Sequence, residues 1–361
     1  MLSQLSSLKM NRLWLRLTLL LAPVLLLAAC SSPNPRRDNL TVKPNPVQQQ
    51  FSVQAPKPVT YSGVFPKPAV IEPAVDFWRK TYAVWQRSQV AFHDDRNLDV
   101  VYEVIDLPGY VGEGLTSEQK EIVNQRRDYW KAQLAGLESK LRYGVPLNAN
   151  DKQIVAKLET SGKPLSFING ASERLRSQRG TRERFKRGLE ISTRYDKHFR
   201  KIFREAGLPE DLAYLPHVES SFQVSAKSSA GAVGLWQFTK AAAKTFMPGD
   251  SSVDRRLDPL VSANGAARYL SHAYEKLGNW PAAVTSYNHG IGGMKRAQSQ
   301  VGTDFGRIVE QYDGPAFGFA SRNYYAQFLA AREIASNPEQ YFGEGISYAP
   351  PLPAEQLLAS Q

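Results

Sequence analysis

A single cysteine, Cys30, in 361 residues excludes an intrachain disulfide framework and leaves too few thiolates for a zinc ribbon or an iron–sulfur cluster. Histidine is nearly as sparse. His93, His198, His217, His272 and His289 are scattered without HExxH spacing, so neither a metal centre nor a cofactor is expected. The chain also lacks a glycine-rich phosphate loop after a predicted strand, a nucleophile triad and any repeat of solenoid period. What it does have is 42% hydrophobic and 11% aromatic residues, enough for about two modest globular domains and too much for a wholly disordered chain. A formal net charge of +11 suits an anionic partner: nucleic acid, a membrane surface or an acidic polymer.

The first thirty residues read as an export signal. Lys9, Arg12 and Arg16 precede an apolar run at 17–29, about 13 residues, too short to cross a bilayer of about 30 Å as a helix. The run ends in Leu27-Ala28-Ala29-Cys30, which resembles the lipobox of bacterial lipoproteins. That resemblance implies a signal peptide at 1–29, a lipid-modified Cys30 and membrane anchoring by acyl chains. An ordinary secretory signal with an incidental cysteine is the alternative. Ser31, where Asp favours inner-membrane retention, directs the expectation to an outer-membrane lipoprotein facing the periplasm.

Residues 30–75 read as a tether, with Pro33, Pro35, Pro44, Pro46, Pro56, Pro58, Pro66, Pro68 and Pro73 in a polar background. From 76 to 205 the pattern predicts a helical N-terminal region. Phe77, Trp78, Tyr82, Trp85 and Val90 recur near helical spacing, as do Tyr129, Trp130, Leu134, Leu137 and Leu141, and packing is the expected role of both sets. Between 171 and 204, twelve Lys and Arg face four Asp and Glu. In an exported protein this run suits a solvated face or an anionic wall polymer better than nucleic acid.

The chemistry starts near Leu208. Leu208, Leu212, Leu215 and Glu219 recur by four, three and four, so a helix continuing through Pro216 places the Glu219 carboxylate on an apolar stripe near the helix C-terminus. Burial and the dipole both disfavour its charged form there, which makes it a candidate general acid. Ser228 follows, and Gly231-Ala232-Val233-Gly234-Leu235-Trp236-Gln237 places an amide side chain after turn-permitting glycines, as suits a backbone passing close to a ligand. Thr239 is a candidate cap for a helix over 240–246, and Asp258-Pro259 starts a packing helix that stops at Gly278. Trp280-Pro281 opens a further helix ending in Ser286-Tyr287-Asn288, and an amphipathic helix beginning at Ser321 stops before Pro338.

Four elements in this order, Glu219-Ser220, Gly234-Leu235-Trp236-Gln237, Ser286-Tyr287-Asn288 and Tyr324 after Arg322-Asn323, resemble the family 1 lytic transglycosylases of the membrane-bound D type, over residues 206–336. Trp236 stands where many relatives have Met, and Ser286 where Ala is usual. The resemblance implies a mainly α fold, a goose-type lysozyme-like catalytic domain preceded by the helical region. It implies peptidoglycan glycan strands as substrate, cut at the β-1,4 bond between N-acetylmuramic acid and N-acetylglucosamine with a 1,6-anhydro product. Glu219 matches the sole catalytic residue, acid and then base. Ser228, Gln237, Tyr287, Asn288 and Tyr324 match positions around the sugar and the acid, and Ser220 supports the turn. In the tail at 337–361 no LysM wall-binding module is expected. A hydrolytic lysozyme and a catalytically idle peptidoglycan-binding scaffold remain as alternatives.

Overall fold

The computed structural model describes residues 63–247, 249 and 254–353. The expected signal at 1–29, Cys30, the tether as far as 62 and the tail beyond 353 lie outside the described residues.

The folded core begins earlier than the proline pattern predicts. Phe65 is 1% exposed and lies edge-on to Phe328, with ring centroids 5.2 Å apart. Tyr325 donates its hydroxyl to the Pro66 carbonyl at 2.8 Å, and Ile71 and Val75 join the same core. The assignment of 63–75 to the tether is corrected accordingly. Prolines here sit between apolar anchors, and Pro73 occupies the first turn of α1 (Glu72–Ala83), where a missing N–H costs little.

Beyond α1 the chain forms β1 (Gln89–Asp94), β2 (Val101–Asp106), α2 (Ser117–Tyr143) and α3 (Ala149–Thr160), returns as β3 (Leu175–Arg179) and enters α4 (Arg182–Ser192) and α5 (Asp196–Glu205). The strands form a three-stranded sheet in the order β2-β1-β3, with Val90 opposite Ile105 on one side and Arg179 on the other, antiparallel throughout. The expectation of a helical 76–205 is therefore corrected to helices packed with a small sheet. The aromatic spacing does not continue as one helix: Trp85 lies beyond the end of α1 and Val90 is in β1. Short apolar runs look alike at both periods. Alternation along β1 divides two cores. Val90 and Phe92 pack with Tyr102, Trp130, Leu134 and Leu158, whereas Ala91 joins the larger core and the His93 ring lies 4.5 Å from that of Phe77.

Part of the basic run at 171–204 is turned inward. Arg174 pairs with buried Asp94 at 2.7 Å. Arg179 donates to the carbonyls of Arg87, Gly112 and Glu113, and Arg182 to those of Ala83 and Tyr341. Arg176 lies over the Phe319 ring at 4.3 Å. A guanidinium offers five donors in a rigid fork, so these side chains staple loops and termini to the core.

The remaining described residues are mainly helical: α6 (Leu215–Glu219), α7 (Lys240–Phe246), α8 (Pro259–Leu277), α9 (Trp280–His289), α10 (Ile291–Val301), α11 (Phe305–Gln311), α12 (Phe319–Ser336) and α13 (Pro338–Phe342). The Thr239 and Asp258 caps form as expected, with Asp258 accepting from the N–H groups of Leu260 and Val261 at 3.0 Å, and left-handed Gly278 ends α8. The mainly α expectation holds. The expected boundary between 205 and 206, however, does not divide the core: Phe199 and Phe203 of α5 pack on Trp236, and Arg79 of α1 makes a two-point ion pair with Glu333 of α12 at 2.8 and 2.9 Å. Among the described residues no helix is long and apolar enough to cross a membrane.

Candidate active site

Glu219 is reached by two short helices rather than one. A 3-10 turn at Glu210–Tyr214 gives way to α6, with Pro216 in its first turn, so the proline begins a helix instead of kinking one. Leu212 and Leu215 are fully buried and fix this segment on the core. Glu219 is the last residue of α6, as the apolar spacing places it, and is half-buried. The chain then turns sharply, with Ser221 and Phe222 both left-handed at φ 50° and 55°. Ser220 holds the turn by donating its hydroxyl to the Leu235 carbonyl at 2.9 Å and the Pro216 carbonyl at 3.2 Å. Gly188 of α4 makes room for it: a Cβ there would lie 2.7 Å from the Ser221 carbonyl oxygen.

The environment of the carboxylate fits proton donation. Tyr324 of α12 donates its hydroxyl to Glu219 Oε1. Burial pushes the Glu219 pKa up to about 7, and the Tyr324 hydrogen bond opposes that rise without cancelling it. No other carboxylate among the described residues contributes to the shift. Burial and the nearby Glu219 together hold the phenols of Tyr82, Tyr287 and Tyr324 well above their usual range, so all three stay neutral donors. Tyr287 donates to the Trp236 carbonyl at 2.9 Å, which joins α9 to the Gly234–Gln237 segment.

The remaining candidates gather on that segment and on α9. Gln237, itself left-handed at φ 49°, donates its amide to the carbonyls of Gly234 at 2.8 Å and Ala226 at 3.2 Å. Its side-chain carbonyl is left as an acceptor. Gly234 is also left-handed, and a Cβ on it would stand 2.4 Å from the Arg256 carbonyl oxygen. Ser228 accepts from the Ala232 N–H at 3.0 Å, which ties it to the same turn rather than to Glu219. Asn288 accepts from Ser321 at 2.8 Å, which links α9 to α12. Trp236 is fully buried and serves the core.

The sequence reading missed Tyr82. It belongs to the stripe assigned to packing, and its ring does pack, stacked on Phe185 at 4.8 Å, which in turn stacks on His217 at 5.0 Å. Yet Tyr82 also feels the Glu219 charge and donates to Gln327 of α12 at 3.2 Å. With 136 residues between Tyr82 and Glu219, no local signal links them. His217, two residues before the acid, is a core ring: burial pulls its pKa down to about 3 and keeps it neutral. Among the described residues no group of three or more His, Cys, Asp or Glu is placed to hold a metal ion.

Residues 199–307 match the family model for the transglycosylase SLT domain. The curated relatives include a putative tributyltin chloride resistance protein of Alteromonas sp. (strain M-1), 38% identical over 26% of this chain and 46% of that protein. The peptidoglycan transglycosylase gp16 of Escherichia phage T7 is 31% identical over 47% of this chain and 13% of its own. Membrane-bound lytic murein transglycosylase D of Escherichia coli (strain K12) is 26% identical over 38% of this chain and 30% of its own. The chain thus spans less than half the length of each of these relatives. Among solved structures, the 70 kDa soluble lytic transglycosylase of Escherichia coli matches 64% of this chain and 45% of its own at a TM-score of 0.36 and 18% identity. The family match takes in Glu219, Ser228, Gln237, Tyr287 and Asn288 and ends short of Tyr324. The match to the transglycosylase SLT domain thus lies over the buried acid, and lytic murein transglycosylases are among the proteins to which this chain is similar.

Proposed function

We propose that the protein is a peptidoglycan lytic transglycosylase that cleaves the β-1,4 bond between N-acetylmuramic acid and N-acetylglucosamine and leaves a 1,6-anhydromuramic acid end. The observation that carries this reading is Glu219: a carboxyl whose pKa burial raises to about 7, with a phenol donating to it and no second carboxylate among the described residues acting on it. Protonated Glu219 gives its proton to the glycosidic oxygen as the bond to C1 breaks. The resulting carboxylate then takes the proton from the C6 hydroxyl of the same sugar as that oxygen bonds to C1, which returns Glu219 to its starting state. The nucleophile comes from the substrate, so the partner carboxylate that a retaining glycosidase carries about 5 Å away is not needed. Ser228, Gln237, Tyr287 and Asn288 contact the N-acetylated sugars, and Tyr324 restrains the acid.

In this reading Cys30 carries acyl chains that anchor the enzyme as an outer-membrane lipoprotein in the bacterial envelope, with peptidoglycan and not nucleic acid as its polymer. The test is mass spectrometry of glycan digested by the chain lacking residues 1–30. Anhydro ends, one water lighter than hydrolysed ends, support the proposal, and their loss in Glu219→Gln assigns the acid. Hydrolysed ends indicate a lysozyme. Intact wall binding without turnover in the parent protein indicates a scaffold.

A further inference from the structure

Immediately beyond the Glu219 turn lies an open groove of about 310 Å³. One wall is α4, which presents Arg184, Lys186 and Arg187, and the opposite wall carries Arg87 and Glu113. Gln223 lines it next to the catalytic turn, donating its amide to the Ser221 carbonyl at 3.1 Å. Arg184 reaches the Ser220 carbonyl at 3.4 Å, so the groove begins one residue after the acid. Its shape is set in advance. Arg179 pins the Glu113 wall through the Glu113 carbonyl at 2.7 Å and the Arg87 carbonyl at 2.6 Å, and Gly188 seats α4 against the Ser221 backbone.

The cations of this groove differ from the inward-turned arginines of the same run. Arg87 and Arg184 meet Glu113 only at 3.5 and 3.6 Å, and exposed Arg187 meets Glu190 at 3.2 Å. The two pairs to exposed Glu113 are long, contribute little and exchange readily for a better acceptor. Four cations against Glu113, Glu183 and Glu190 leave the lining positive.

We propose that this groove is a subsite for the carboxylate-bearing peptide stem of the substrate, built by the N-terminal part of the chain outside the family-matched segment. The inference rests on the proposed glycan cleavage. The sugar whose C1 reacts is also the one that bears the stem on its lactyl group, so a glycan seated at Glu219 carries its peptide carboxylates past the Ser220–Gln223 turn. Stem carboxylates compete with Glu113 for Arg87 and Arg184 and with Glu190 for Arg187. Sequence between 63 and 198 thereby contributes to substrate choice, not to fold alone.

The experiment compares the full chain with a Lys186→Glu/Arg187→Glu variant on intact peptidoglycan and on glycan strands stripped of peptide. The expected result is a fall of about five- to ten-fold in kcat/KM on intact substrate, shrinking in high salt, with no change on stripped strands. Equal loss on both substrates, or loss on neither, overturns the proposal. A milder Lys186→Gln/Arg187→Gln pair guards against misfolding and is expected to give the same substrate split at smaller size. Titration with a free stem tetrapeptide and its fully amidated form reads the groove even when no turnover is found, which separates this inference from the parent reading. Binding of the free-acid form alone, weakened in the variants, supports it. Equal binding of both forms, or charge-dependent binding to phosphatidylglycerol vesicles without binding to the peptide, overturns it.

Discussion

Glu219→Gln separates stability from activity in a way that pH resolves. The wild-type carboxyl has a pKa near 7 in the folded protein against a reference value of 4.5. Its folded pKa is raised, so the stability it contributes is complete below about pH 4.5, drains away as pH rises and is gone above about pH 7. Between those values the unfolded chain releases a proton that the folded chain keeps. A shift of about 2.5 units corresponds to at most about 3 kcal/mol, at roughly 1.36 kcal/mol per unit, and the half-buried state of the side chain reduces this to about 1–2 kcal/mol. Glutamine keeps an acceptor for the Tyr324 hydroxyl and cannot ionise. Urea unfolding from pH 4 to 9 is therefore expected to give a variant-minus-wild-type difference that grows between pH 4.5 and 7 in favour of the variant and then levels off, while turnover is lost throughout. A difference independent of pH, or one that grows in favour of wild type, refutes the assignment of a buried, protonated carboxyl.

Three further variants probe the surroundings of that carboxyl and the frame behind it. Tyr324→Phe removes the hydrogen bond that holds the Glu219 pKa down, so the basic limb of the kcat/KM profile is expected to move to higher pH with about a ten-fold loss of rate; a limb that stays put or moves down contradicts this. Gly188→Ala drives a methyl group into the Ser221 carbonyl and is expected to lower both turnover and the free energy of unfolding, the latter by about 1–3 kcal/mol in urea titration. Glu333 is 3% exposed and accepts from Arg79 and Tyr341, so Glu333→Gln is expected to cost about 3 kcal/mol in the same assay; a cost below about 1 kcal/mol means that the pair is dispensable.

The features legible in the sequence are those fixed by neighbouring residues. A capping oxygen needs an N–H two or three positions away, so Thr239 and Asp258 announce their helices, and Gly278 announces an end. The apolar spacing of Leu212, Leu215 and Glu219 survives because a 3-10 turn followed by α6 keeps those residues inward even though no single helix runs through them. The features that stayed hidden depend on distant partners. β1 owes its burial to strands that end at Asp106 and begin at Leu175, and its polar His93 and Asp94 break the apolar signature that would have marked it. Phe65 is buried only because Phe328 and Trp280 meet it, and Tyr82 enters the site only because α1 lies against α12.

β1 has a thermodynamic consequence for the whole molecule. Its six residues are a party wall: neither the helical lobe on one side nor the sheet-and-hairpin lobe on the other can come apart without stripping cover from its neighbour. A slip of one position would exchange Val90 and Phe92 for Ala91 and an imidazole with no room to hydrate, so the strand has a single tenable alignment. Melting should accordingly occur as one event, with calorimetric and van't Hoff enthalpies in agreement, and the groove beside the acid should vanish at the same temperature as the acid's own shelter.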